Sequence, residues 1–211
     1  DGYIVYEHFE GMEGKKLLGC WAHARRRFFE AKVENEKLAL EALSYIRRLY
    51  DVEAEADALD AADNKPNYER RKALRQEKAY PEIKKFETWM EASILKCPPK
   101  SLMEAAISYT YKILKKLSLY VTDGRYKIDD NMVENSIRPL AIGRKNYLFC
   151  GDDDAAQRAA VVYSLLATCK AHGVNERAWL EDVLRRIPEY EQAGKDYADL
   201  LPANWRALSA K

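Results

Sequence analysis

Apolar residues recur at three- and four-residue spacing along most of this chain, and that period predicts helices. From Ala22 the stripe runs through Ala24, Phe28, Ala31 and Val33. Leu38 to Ala62 predicts one long helix with Leu43, Ile46, Leu49 and Tyr50 on its apolar face. Its second half, Asp51 to Asp63, carries six acidic residues and no basic one, and Asn64-Lys65-Pro66-Asn67 ends it. A second helical stretch spans Tyr68 to Leu95, with Ile83, Phe86, Trp89 and Met90 in register, and Pro81 is expected to split or kink it. After Cys97-Pro98-Pro99-Lys100, Ser101 and Glu104 have capping-box spacing. They open a helix with Leu102, Ala106, Tyr109, Ile113, Leu117 and Tyr120 on one side.

Asp123-Gly124 marks a turn, and Asn131 is a suitable N-cap for a helix carrying Met132, Ile137 and Leu140. Pro139 lies inside that pattern and is expected to kink or shorten it. An aspartate among Asp152, Asp153 and Asp154 caps the next helix, which ends at His172-Gly173, and Asn175 caps a last one that stops at Pro188. The rest reads as a polar tail ending in Leu201-Pro202-Ala203-Asn204-Trp205. Lys16–Trp21 and Tyr147–Cys150 are the candidates for short strands. The expected class is mainly α, about seven helices with a few short strands.

Composition narrows this picture modestly. A chain of 211 residues can bury roughly 70% of its unfolded surface without disulfide or metal support. Apolar content of 47% and charged content of 33% fit a globular chain with a charge-rich surface. Net charge is +1, so a polyanionic partner must be met by local clusters rather than a global field. Cys20, Cys97, Cys150 and Cys169 form no CxxC pair, which argues against a zinc ribbon and a disulfide framework and fits a reducing cytosol. No apolar run approaches the ~18 residues of a membrane span, and no signal peptide is evident. Opening at Asp1 rather than Met, the chain reads as a piece of a longer protein.

Chemistry concentrates in two places. Around Cys20-Trp21-Ala22-His23-Ala24-Arg25-Arg26-Arg27, one reading is an amphipathic helix start with solvated arginines; the other makes His23, Arg25 and Arg26 phosphate contacts that hold a backbone in register. Cys20 and His23 have half-site spacing for zinc, but no second half-site follows nearby, so zinc is not expected. The second place is Lys127 to Gly151. Asp129, Asp130 and Asn131 suit a helix N-terminus, where acidic groups meet the positive end of the dipole. Glu134 and Arg138 share a helix face, which permits a plain surface ion pair or a carboxylate set beside the basic Arg138, Arg144 and Lys145.

Taken together, these segments resemble the DDE transposases of the insertion sequence 66 family. The resemblance rests on Asp1-Gly2-Tyr3, on Cys20-Trp21-Ala22-His23-Ala24-Arg25-Arg26 and on Asp130-Asn131-Met132-Val133-Glu134-Asn135-Ser136-Ile137-Arg138-Pro139. It continues in Gly143-Arg144-Lys145-Asn146-Tyr147-Leu148-Phe149, Gly151, Tyr163-Ser164-Leu165 and Leu201-Pro202-Ala203-Asn204-Trp205, covering nearly the whole chain in order.

The resemblance implies the C-terminal portion of an RNase H-like α/β core, residues 1–35 and 101–172, with a helical insertion at 36–100 and a C-terminal helix and tail at 173–211. It implies Asp1 and Glu134 as catalytic carboxylates and as ligands of Mg2+ or Mn2+, with the first aspartate of the triad and most of the sheet upstream. His23, Arg25, Arg26, Arg138, Arg144 and Lys145 are the implied DNA contacts. The implied activity of the parent is metal-dependent strand cleavage and strand transfer at transposon ends, by a homo-oligomer in the bacterial cytoplasm near the nucleoid. With two of three metal ligands, the chain alone is expected to be inactive. The competing expectations are a non-catalytic DNA-binding or assembly remnant of a transposase, and a helical scaffold with no nucleic-acid role.

Overall fold

In the computed structural model, residues 4–147 and 149–209 are described, with the side chains of Ile4 and of residues 206–209 excepted. Asp1 lies outside the described residues. The chain divides into two compact units after Met132, inside a helix, and each is taken by itself.

The first unit is helical. It contains α1 (Trp21–Glu30), α2 (Glu36–Ala62), α3 (Tyr68–Leu74), a π-helical turn at Arg75–Ala79, α4 (Tyr80–Ile94), α5 (Leu102–Lys112) and α6 (Leu114–Ser118). Helix starts follow capping chemistry: the side chains of Asn35, Asn67 and Ser101 accept from Leu38, Arg70 and Glu104 N–H. The expected capping box forms only in part. The Glu104 carboxylate accepts from the Ser108 hydroxyl at 2.7 Å, one turn onward. Pro81 lies where the helical path passes from the π-helical turn Arg75–Ala79 into α4, and the wider turn accommodates its missing N–H. The helix expected to run from Leu102 through Tyr120 breaks at Ile113, whose φ of −101° and ψ of 10° start α6.

The core is built on aromatic rings. Phe86 of α4 lies 5.3 Å from Tyr45 and 5.6 Å from Trp89, both stacked, and meets Phe28 edge-on at 5.7 Å. Trp21, Ile46, Leu49, Ile83, Met90, Ile107 and Leu117 close around them. Packing here is backbone-tight: a Cβ on Gly19 would come within 2.9 Å of the Leu117 nitrogen.

The expected strand at Lys16–Trp21 is absent. The segment is extended, but its Gly19 N–H donates to Lys116 O at the end of α6, and Trp21 already begins α1. No strand occurs among the described residues, because no segment presents a partner ladder. The strand expected at Tyr147–Cys150 is likewise not seen where described: Tyr147 ends a helix, and Leu148 lies outside the described residues.

A buried ion network ties the first unit together. Arg75 is fully buried and holds Glu53 of α2 in a two-pronged pair, Nε–Oε1 2.7 Å and Nη2–Oε2 2.6 Å. Its remaining N–H groups donate to the carbonyls of Tyr120, Asp123 and Tyr126 at 2.8–3.0 Å. Arg71 adds contacts to Glu53, Asp57 and Asp60. The acidic half of α2 is therefore the mate of the basic run on α3 rather than a solvated face.

The second unit contains most of α7 (Asn131–Tyr147), then α8 (Asp153–Ala171), α9 (Glu176–Ala193) and α10 (Pro202–Ser209). Asp152 and Asn175 cap α8 and α9 as expected, accepting from Ala155 and Ala178 N–H. Pro139 does not shorten α7, and Pro188 does not end α9, which runs on to a left-handed Gly194 at φ 57°. The tail is not irregular either: Tyr197–Leu200 is a 3-10 turn and Pro202 starts α10. Both are drawn onto a small core of Cys169, Val174, Trp179, Val183, Tyr190 and Leu200. Trp179 Nε1 donates to Leu200 O at 2.9 Å, and Trp205 Nε1 to Asp182 at 2.7 Å. A Cβ on Gly143 would sit 2.6 Å from the Tyr163 hydroxyl, so this glycine lets α8 approach α7.

Replacing Arg75 by alanine leaves the buried Glu53 with Arg71 alone and removes the donor from the Tyr120, Asp123 and Tyr126 carbonyls, and is expected to cost roughly 3–5 kcal/mol in denaturant unfolding of the chain. Alanine at the more exposed Arg70 should cost much less; equal losses would refute the central role of Arg75. Acid should also weaken the network. Hydrogen bonds from Arg71 and Arg70 lower the Asp60 carboxyl from 3.8 to about 2. That stabilisation is present above the unfolded value and is lost as pH falls toward 2. Asp60→Asn should flatten the decline in thermal midpoint over that window.

Candidate nucleic-acid interface

The basic run on α1 is divided by the geometry of the helix. Arg25 and Arg26 face solvent, and Arg27 stacks its guanidinium over the Tyr109 ring at 3.9 Å. Arg25 and Arg26 border an open pocket of about 550 Å³ together with Ala22, Phe29, Leu43, Arg47, Tyr50 and Asn131. Arg47 joins them because α1 packs beside α2 and Leu43, Arg47 and Tyr50 share one face of α2. Among the described residues none of the three arginines has an ion-pair partner. The neighbouring Arg48, by contrast, is held by Glu82 at 2.6 Å. Three uncompensated guanidiniums around one opening are suited to a polyanion.

The pocket wall is fixed by a second set of contacts. Tyr50 donates its hydroxyl to Asp129 at 2.9 Å, and burial, then this bond, raises the Tyr50 phenol far above its usual range. Asn131 donates its backbone N–H and side-chain amide to the same carboxylate, so Asp129 acts as the acceptor at the start of α7. Beside it, Cys20 donates to Asp130 at 2.8 Å, and Nδ1 of the partly buried His23 lies 3.8 Å from the same oxygen. Burial first, then the hydrogen bond to Asp130, pushes the Cys20 thiol up to about 11. Trp21 N–H to Ile128 O at 3.1 Å holds this segment against the start of α1.

On α7, Glu134 is half-buried in the first turn, while Arg138, Arg144 and Lys145 are exposed. The same helix buries none of its residues: Met132, Val133, Ile137, Leu140 and Ile142 are all exposed apolar positions.

Of the residues expected from sequence, Arg25 and Arg26 thus share one pocket, His23 joins Cys20 and Asp130, and Glu134, Arg138, Arg144 and Lys145 share α7. Asp1 lies outside the described residues. Arg47 and Asp130 were not expected. The spacing of Leu43, Arg47 and Tyr50 carries a signal for Arg47. Nothing local signals Asp130, which meets Cys20 from 110 residues away.

No helix among the described residues is long and apolar enough to cross a membrane. No solved structure matches the chain. Among curated proteins, it is 35% identical over 98% of its length to the uncharacterized protein y4qI of Sinorhizobium fredii, covering 38% of that protein. It is 32% identical to y4hP of the same organism, over 90% of the chain and 35% of the relative, and 31% identical to y4jD, over 98% and 40%. The chain therefore spans less than half the length of these relatives. Residues 164–203 match the IS66 C-terminal element, and residues 1–158 match the model of the IS66 transposase family. The chain belongs to the IS66 family of transposases.

Proposed function

We propose that the chain is part of the catalytic region of a DDE transposase whose parent protein cleaves transposon ends and transfers the strands to target DNA. The observation that carries this reading is the family match over residues 1–158, which spans the Asp130–Pro139 block and its Glu134. The three-arginine pocket supports DNA as partner, since guanidiniums bind phosphate oxygens in two-pronged fashion. Residues 1–35 and 101–172 belong, on this reading, to an RNase H-like core, with 36–100 inserted and 173–211 as C-terminal helix and tail. The exposed apolar face of α7 supports it, being the kind of face that such a core turns toward a sheet.

Asp1 and Glu134 are assigned as metal-binding carboxylates. Glu134 has the hard oxygen donors that magnesium or manganese takes, and its half-buried place in the first turn of α7 leaves it accessible. Divalent ions bound there would supply Lewis-acid activation of the attacking oxygen and stabilisation of the leaving one. The chain's own residues bind and orient. Arg25, Arg26 and Arg47 neutralise backbone phosphates, with Tyr50 and Asn131 fixing the wall between them. Arg138, Arg144 and Lys145 of α7 are assigned as further phosphate contacts. His23, in the first turn of α1, is assigned with Arg25 and Arg26 to phosphate contact. The parent works as a homo-oligomer on this reading, because two transposon ends must be handled together.

In the full-length parent, Glu134→Gln should reduce cleavage of a transposon-end duplex to background while leaving its binding within about twofold. Retained cleavage would refute the assignment. In the 211-residue chain, Arg47→Ala should weaken binding to duplexes of any sequence and lower the slope of log K against log salt by about one. An unchanged slope would remove Arg47 from the interface.

A further inference from the structure

We propose that Cys20, His23 and Asp130 form a binding site for a divalent d-block cation, zinc foremost, separate in donor chemistry from the carboxylate site assigned above. Their ligand atoms all lie within 4.8 Å of one another, and no other such group of three occurs among the described residues. The three come from well-held backbone. Cys20 sits at the N-cap position of α1 and His23 in its first turn, so the two-residue spacing turns both side chains toward the same end of the helix. Asp130 is brought in by the Trp21 N–H to Ile128 O hydrogen bond and by the anchoring of Asp129 to Tyr50.

The geometry is close to what a tetrahedral ion needs. Metal–sulfur distances near 2.3 Å and metal–nitrogen or metal–oxygen distances near 2.1 Å place ligand atoms about 3.4–3.7 Å apart. His23 Nδ1 and Asp130 Oδ1 stand at 3.8 Å. Cys20 Sγ and Asp130 Oδ1 stand at 2.8 Å, and they must open by less than about 1 Å to admit a cation. That adjustment lies within a small rotation of the Asp130 side chain, which is 36% exposed.

The donor set selects the ion. Thiolate and imidazole suit zinc and its neighbours, whereas magnesium requires an octahedron of hard oxygens. Cys20 is only 2% exposed, while His23 and Asp130 are partly open, which leaves a fourth position to water. A purely structural hydrogen bond to Asp130 would need no thiol, since a hydroxyl is the stronger donor. Bound there, a cation would fasten the Ile128–Asp130 segment to the start of α1.

The test is titration of the chelator-stripped 211-residue chain with Co2+ and then Zn2+ under a non-thiol reductant. The expected result is one equivalent of cobalt with a thiolate-to-cobalt charge-transfer band, displaced by zinc, unaffected by excess magnesium, and accompanied by a higher thermal midpoint. Cys97→Ser should keep the band and Cys20→Ser should lose it. His23→Gln and Asp130→Asn should each weaken uptake by more than the roughly tenfold cost of losing an outer-shell partner. Circular dichroism checks that each variant folds; if Cys20→Ser does not, the more exposed Asp130→Asn decides. Absence of the band, its persistence in Cys20→Ser, or uptake unchanged in Asp130→Asn would overturn the site.

Discussion

The guanidinium of Arg75 is the point on which the first unit depends. It is fully buried, and a buried charge is tolerable only if its hydrogen-bonding capacity is met. Here one carboxylate and three backbone carbonyls meet it. Those partners come from two distant stretches, α2 and the loop Tyr120–Tyr126. One side chain therefore fixes how the long helix and that loop are placed. A lysine could not do this, because an ammonium lacks the planar fork that reaches the carboxylate and the carbonyls together.

The functional groups inherit their positions from that constraint. The loop held by Arg75 leads within a few residues to Ile128, Asp129 and Asp130. Their contacts with Trp21, Tyr50 and Cys20 hold the segment that leads into Asn131 against the N-terminal end of α1. Arg47 joins Arg25 and Arg26 only because α2 runs alongside α1. The charge that matters for a polyanion is thus created locally in a chain whose net charge is +1.

Much of the helical layout was legible in the chain. The periodic stripes of α2, α4 and α5, and the caps at Ser101, Asp152 and Asn175, follow from local chemistry, and the structure contains them. Pro188 reads as a helix stop and Pro139 as a residue that kinks or shortens its helix, yet α9 continues through the one and α7 is not shortened by the other, so proline is a weaker terminator than local rules suggest. The tail after Pro188 reads as polar, but Trp205 and Leu200 pack onto a core that sequence spacing does not reveal. The short strands fail because a strand exists only with a partner, and pairing is not a local property.

Sequence alone determined the family and the blocks that carry it, because those blocks are contiguous and their order along the chain is itself the information. It also determined the helices, since their hydrogen bonds close within four residues. Tertiary structure decided which charges act together. It turned an acidic run into the mate of Arg70, Arg71 and Arg75, gave Arg25 and Arg26 a third arginine, and brought Asp130 to Cys20 and His23 across 110 residues. Such meetings depend on how helices pack, and packing is set by the whole core at once rather than by any one segment.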